Sequence, residues 1–177
     1  MRKLLAAVAV AGLCGLTGTV LSAQRARAHA APASSSSSVQ FGPQLDFGTN
    51  NYNFGIGGRA EFDLKKALGA PMFGVASFDY FFGTSGAHIW EINANVFYNF
   101  KVESTSLQPY AGGGLNIAHA FVSGCPSGFT CSNTEAGLNL GGGTKFKTQG
   151  GGLTPFAEAR IELRTGSAFI LTGGFLF

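Results

Sequence analysis

The chain has 177 residues, enough for one domain, and only 12% of them are charged, about half the level usual in soluble domains. Its formal charge of +3 belongs to its N-terminal part: residues 1–30 carry Arg2, Lys3, Arg25 and Arg27, which leaves eight Lys or Arg against nine Asp or Glu, a net −1, for the remainder. A nucleic-acid partner thereby loses its support, and beyond the N-terminal region no stretch approaches the ~20 consecutive apolar residues of a membrane helix.

The first segment reads as an export signal. Arg2 and Lys3 form a basic start, Leu4 to Val20 is an apolar run softened by glycines, and small residues follow. Residues 1–30 are expected to form the signal region, with cleavage after Ala23 or after Ala30. Cys14 leaves with them. The remaining pair, Cys125 and Cys131, is even in number and belongs to an exported protein, which predicts a disulfide. No metal pair is expected, because neither His nor further Cys lies close by. Residues 31–38, Ala-Pro-Ala and a serine run, predict a flexible lead-in.

From Val39 to Phe177 the apolar residues alternate with period two, which predicts strands. Eight are expected, near Val39–Phe47, Tyr52–Leu64, Met72–Phe82, Ile89–Phe100, Pro109–Phe121, Ala136–Phe146, Leu153–Arg164 and Ala168–Phe177. The connectors Thr-Asn-Asn, Gly-Thr-Ser-Gly and Thr-Gly-Ser have turn chemistry. The fourth strand shows the pattern best: Trp90, Ile92, Ala94, Val96, Tyr98 and Phe100 share one face, and Glu91, Asn93, Asn95 and Asn99 the other, with Phe97 out of place. Ten steps separate Trp90 from Phe100, roughly 33 Å along a strand. A tilt of about 40° reduces this to roughly 25 Å, the height of a lipid-facing band between aromatic girdles, here Trp90, Tyr98 and Phe100. The seventh strand agrees, and the third is ambiguous because Phe, Ser and Asp share a face.

Alternation alone also fits a soluble barrel with an apolar interior. The polar face carries Asn, Gly and charges of both signs rather than the lysine-rich surface that solubility requires, and the apolar face has aromatic ends with small or aliphatic middles. Backbone groups in a bilayer must be satisfied internally, so with helices excluded a closed barrel remains. The expected fold is all-β, an eight-stranded antiparallel up-and-down transmembrane β-barrel over residues 39–177. The chain finishes on an alternating apolar segment ending in Phe177, where soluble domains usually end in loose polar residues.

The signal segment, the eight alternating strands and the closing Gly173-Gly174-Phe175-Leu176-Phe177 resemble the small bacterial outer-membrane β-barrel family, which includes the OmpA transmembrane domain and OmpX-like, porin-like proteins. The resemblance spans residues 39–177 and implies location in the outer membrane, contact with its lipid, and insertion by the barrel-assembly machinery. It makes Phe175 and Phe177 the assembly signal, although Gly173 departs from the hydrophobe expected there. No peptidoglycan-binding domain is expected after Phe177.

An eight-stranded barrel is just wide enough to be filled by its own side chains. The expected lumen set is Arg59, Lys145, Arg160 and Arg164 with Asp46, Glu61, Asp63, Asp79, Glu91, Glu158 and Glu162. Such charges must be paired in a narrow space, which gives a salt-bridge plug; a narrow cation-preferring pore is the alternative. A lipid-modifying enzyme is the second alternative, since His88, His119 and Ser123 are present. None sits in a recognisable motif, so no catalytic residue, cofactor or metal is expected. The glycine runs 112–114 and 141–143 lack the Gly-Lys-Ser/Thr of a phosphate loop. The long connector 122–135, clamped by Cys125 and Cys131, is expected on the extracellular side, either as a recognition knob for a surface ligand or as a loop protected from proteases.

Overall fold

The computed structural model describes residues 39–50, 52–103, 106–126, 129–148 and 152–177. The expected export signal and serine-rich lead-in lie outside the described residues. Eight strands follow in chain order: β1 (Val39–Gly48), β2 (Asn53–Asp63), β3 (Met72–Phe82), β4 (Ala87–Asn99), β5 (Leu107–Val122), β6 (Ser132–Phe146), β7 (Thr154–Leu163) and β8 (Ala168–Leu176). Each is antiparallel to the next, and β8 pairs with β1 to close the barrel. A single helical turn, α1 (Lys65–Leu68), links β2 to β3, and a 3₁₀ turn at Thr84–Gly86 links β3 to β4.

The alternation decides which way each side chain points. Burial switches with period two along β1, β4, β7 and β8. The outward set includes Phe41, Leu45, Phe47, Phe78, Ile92, Leu115, Leu138, Leu140 and Phe175, all between two-fifths and two-thirds exposed. The inward set includes Asp46, Arg59, Asp79, Glu91, Glu158, Arg160 and Glu162, all almost fully buried. Among the described residues no charged side chain of the eight strands shares the outward parity. The interior is therefore polar and the exterior apolar, the reverse of a soluble barrel.

Two apolar clusters interrupt the polar interior. Phe73, Val75, Phe97 and Tyr110 form one, near the end that carries Val39 and Phe177. Tyr52, Phe81, Ile89, Ala118, Ala168 and Ile170 form the other, near the opposite end. The irregularities of the third and fourth strands thus have one cause: Phe73, Phe81 and Phe97 have inward parity and cap the lumen rather than facing out.

Glycines make room for the inward residues. A Cβ at Gly57 would lie 2.1 Å from Asp79 Oδ1 and 2.7 Å from the Phe78 carbonyl oxygen, whereas the nearest atom to one at outward Gly58 is 3.8 Å away. The runs 112–114 and 141–143 lie on the paired strands β5 and β6 and meet at Gly112↔Gly141. There a Cβ at Gly114 would meet Asn95 Oδ1 at 2.4 Å and one at Gly143 the Tyr110 hydroxyl at 2.7 Å.

Strand positions agree with expectation, but β5 and β6 are longer. Their pairing continues through Ala120↔Asn133 to Phe121↔Ser132. The connector expected over 122–135 shrinks to 123–131, because backbone pairing extends through a polar Ser-Asn-Thr-Glu stretch whose composition suggests a loop. In the β1–β2 turn Asn50 adopts φ 53°, a left-handed conformation that Asn tolerates better than most residues.

Candidate functional site

The lumen side chains form three layers between the apolar caps. In the layer nearest the termini, Arg59 lies 3.1 Å from Glu61 and 3.2 Å from Glu158. Lys145 pairs with the other oxygen of Glu61, and the Tyr110 hydroxyl donates to Glu158 at 2.9 Å. The cations also rest on rings, Arg59 at 4.3 Å over Phe156 and Lys145 at 3.6 Å over Phe73. Two cations face two carboxylates, so this layer is neutral.

The middle layer is made of amides. Asn139 donates to Asn93 at 2.8 Å and to Asn95 at 3.0 Å, and Asn93 donates on to Asp79 at 2.9 Å. All three asparagines are at least 95% buried.

The third layer surrounds Arg160. Its guanidinium reaches Glu162 at 2.9 Å, Glu91 at 3.3 Å, Asp79 at 3.4 Å and Asp46 at 4.0 Å. Arg164 adds contacts of 3.3 Å to both Glu91 and Glu162. Two cations face four carboxylates here, a formal −2, and neutral donors supply the difference. Gln44 at 2.5 Å and Ser77 at 3.0 Å donate to Asp79, Thr172 donates to Asp46 at 2.5 Å, and the Tyr52 hydroxyl donates to Glu91. Hydrogen bonds to a charged acceptor are about twice as strong as neutral ones, so these donors hold the surplus carboxylates without further cations.

Nine of the ten network residues proposed from sequence, together with Asp46, make these contacts. Asp63 does not. It is exposed past the apolar cap, and its carboxylate accepts the backbone N–H of Lys65 at 2.8 Å, which starts the α1 turn. The neutral members carry no charge to mark them in the sequence, although Asn93 and Asn95 fall on the polar face of the fourth strand. A parity rule extended to Gln44, Ser77, Asn139 and Thr172 would have found them.

On the outer surface Trp90 stacks on Phe78 and on His119, with ring centroids 6.4 and 5.2 Å apart, and Tyr98 packs against Phe100 at 5.3 Å. Trp90 and Tyr98 lie at opposite ends of the outer face of β4. His119 has outward parity, and its Nδ1 lies 2.7 Å from Thr134 Oγ1. His88 lies between the rings of Tyr80 and Phe121. Neither histidine makes a hydrogen bond to Ser123.

Cys125 and Cys131 are joined by a disulfide, with Cα atoms 5.8 Å apart. Phe129 is 74% exposed inside the ring. At the other end Phe177 completes the barrel seam: its N–H donates to the Phe41 carbonyl at 2.9 Å and its own carbonyl accepts from the Phe41 N–H at 3.1 Å. The rings of Phe175 and Phe177 are exposed on the outer face.

The mouth at this terminal end opens into a cavity of about 660 Å³, lined among others by Glu61, Lys65, Phe73, Lys101, Lys145 and Lys147. No cluster of His, Cys, Asp or Glu suited to a metal ion occurs among the described residues.

Solved structures similar in fold include Neisserial surface protein A, 16% identical with a TM-score of 0.60, where the match covers 78% of this chain and 94% of that one. The N-terminal β-barrel domain of OprF from Pseudomonas aeruginosa is 19% identical with a TM-score of 0.55, over 78% of this chain and 96% of that one. The chain thus has the fold of the small outer-membrane β-barrels. No protein-family profile and no curated protein matches the sequence.

Proposed function

We propose that the protein is an integral outer-membrane barrel with a structural or surface-interaction role, and that its lumen network plugs rather than conducts. The carrying observation is the layered interior: a neutral ion cluster, an amide layer and an Arg160-centred cluster, with an apolar cluster near each end of the lumen. An ion crossing it would have to displace buried, multiply bonded charges. In this reading the apolar outer face meets lipid, and the terminal end is periplasmic. The disulfide-clamped loop 123–131 is then extracellular and presents Phe129 to a surface ligand. Phe175 and Phe177 act as the assembly signal for the barrel-assembly machinery.

The cation-preferring pore gains support from the acidic third layer and loses it at the terminal mouth, whose lining carries more lysines than carboxylates. The lipid-modifying reading loses support because His88 and His119 engage neighbouring rings on the outer face, with no serine partner. Two measurements test the proposal. Purified barrel should migrate differently on a detergent gel before and after boiling, and planar bilayers containing it should show no sustained openings. Stable cation-selective steps would replace the plug with the pore.

A further inference from the structure

We propose that the terminal mouth holds the phosphate-bearing head group of an anionic phospholipid. After residue 30 the chain has five lysines, Lys65, Lys66, Lys101, Lys145 and Lys147. They come from the β2–β3, β4–β5 and β6–β7 sides of the barrel, and the turns bring all of them to this one end. At the opposite end Glu135 and Arg164 are the nearest charged residues among those described. The lysines are therefore not a general device for rim solubility.

Four of these lysines line the 660 Å³ cavity together with two carboxylates, Glu61 and Asp63, for a formal +2. Both carboxylates are already engaged, Glu61 by Arg59 and Lys145 and Asp63 by the α1 backbone. The ammonium groups of Lys65, Lys101 and Lys147 have no carboxylate partner among the described residues. Beside them stand the amide side chains of Gln40, Asn99 and Gln108. Cations flanked by amide donors suit the phosphate diester of a lipid head group. The volume lies within the ~300–1,000 Å³ usual for ligand sites.

The apolar part of the lining separates a lipid from a soluble phosphate. Phe62, Phe100 and Leu107 line the cavity and are also 38%, 47% and 41% exposed at the edge of the outer apolar belt. An amphiphile can place its phosphate among the lysines and lay its chains over this edge; a free phosphate would use the lysines alone.

The test is titration of phosphatidylglycerol and phosphatidylcholine into the full barrel in zwitterionic detergent, read by native mass spectrometry. Saturable binding of one phosphatidylglycerol, at least about tenfold tighter than phosphatidylcholine, is expected. At ~1 kcal/mol per lysine, K65Q/K101Q/K147Q should weaken it by about 100-fold. Equal binding of the two lipids, or an unchanged affinity in the triple variant, would overturn the proposal. So would glycerol 3-phosphate binding as tightly as the lipid. The proposal rests on the membrane-embedded reading, which the heat-dependent gel shift tests separately: a triple variant that keeps the shift but loses the lipid supports both.

Discussion

Arg160→Met is the sharpest probe of the interior. The guanidinium is 3% exposed and contacts four carboxylates. Methionine keeps much of its volume and removes the charge. Arg164 still serves Glu91 and Glu162, but Asp46 and Asp79 then have no cation within salt-bridge distance. Removing one partner of a buried ion pair typically costs ~3–5 kcal/mol, because the other charge is left uncompensated. At a urea dependence of ~2 kcal/mol per molar, the unfolding midpoint should fall by about 2 M, followed by loss of the fast-migrating form on unheated gels. Adding Asp79→Asn removes one stranded charge and should restore ~0.5–3 kcal/mol as a coupling term. An unfolding free energy for Arg160→Met within about 0.5 kcal/mol of the parent, the usual range for exposed substitutions, would refute the reasoning. It would mean that water screens these charges, and the lumen would have to be regarded as wet.

Four further outcomes follow from named contacts. Gly57→Ala should destabilise by ~1–3 kcal/mol through overpacking against Asp79 and the Phe78 carbonyl, while adjacent Gly58→Ala should be near neutral in the same urea titration; equal effects would contradict the inward and outward assignment. Leu140→Arg places a charge on the outer face, where a lipid-facing position costs ~2–4 kcal/mol; unchanged stability after refolding into vesicles would argue against lipid contact there. Cys125→Ser with Cys131→Ser should lower the unfolding free energy by ~2–3 kcal/mol, the entropy of so small a ring, and reductant should have no effect on the double variant. Deleting Phe177 removes its two backbone hydrogen bonds to Phe41 and should lower outer-membrane levels while leaving export intact; unchanged levels would count against an assembly role.

Much of the barrel was legible because period-two alternation is a direct consequence of strand geometry. In β4 and β7 the inner and outer sets separate cleanly, and the charged lumen residues follow from parity. Legibility failed where the inside is apolar. Phe97 reads as an exception on the polar face and the third strand as ambiguous, since composition cannot tell a lumen cap from a lipid contact. Asp63 failed for the opposite reason: it keeps inward parity but lies one step beyond the capped interior, where water and the α1 backbone satisfy it. The terminal mouth was not legible at all. Its lysines are spread from residue 65 to residue 147, and only closure of the barrel brings them together.

The distribution of charge along the lumen bears on plug against pore more directly than its total. A formal −2 for the interior suggests a cation path if treated as one number. Resolved by layer, the terminal mouth is +2, the Arg59 layer is neutral, the asparagine layer carries no charge, and the whole −2 sits around Arg160. A conducting path selects by rings of like charge along its length and must bind ions weakly enough to release them. Here a cation entering from the terminal side first meets lysines, and the carboxylates beyond are already held by Arg160, Arg164, Gln44, Ser77, Asn93, Thr172 and Tyr52. These neutral donors satisfy the carboxylates without adding positive charge. On the proposed plug, that arrangement holds the interior closed with no weakly held acidic ring to conduct, so the loss of Arg160 should appear first as lost stability and only afterwards as leak.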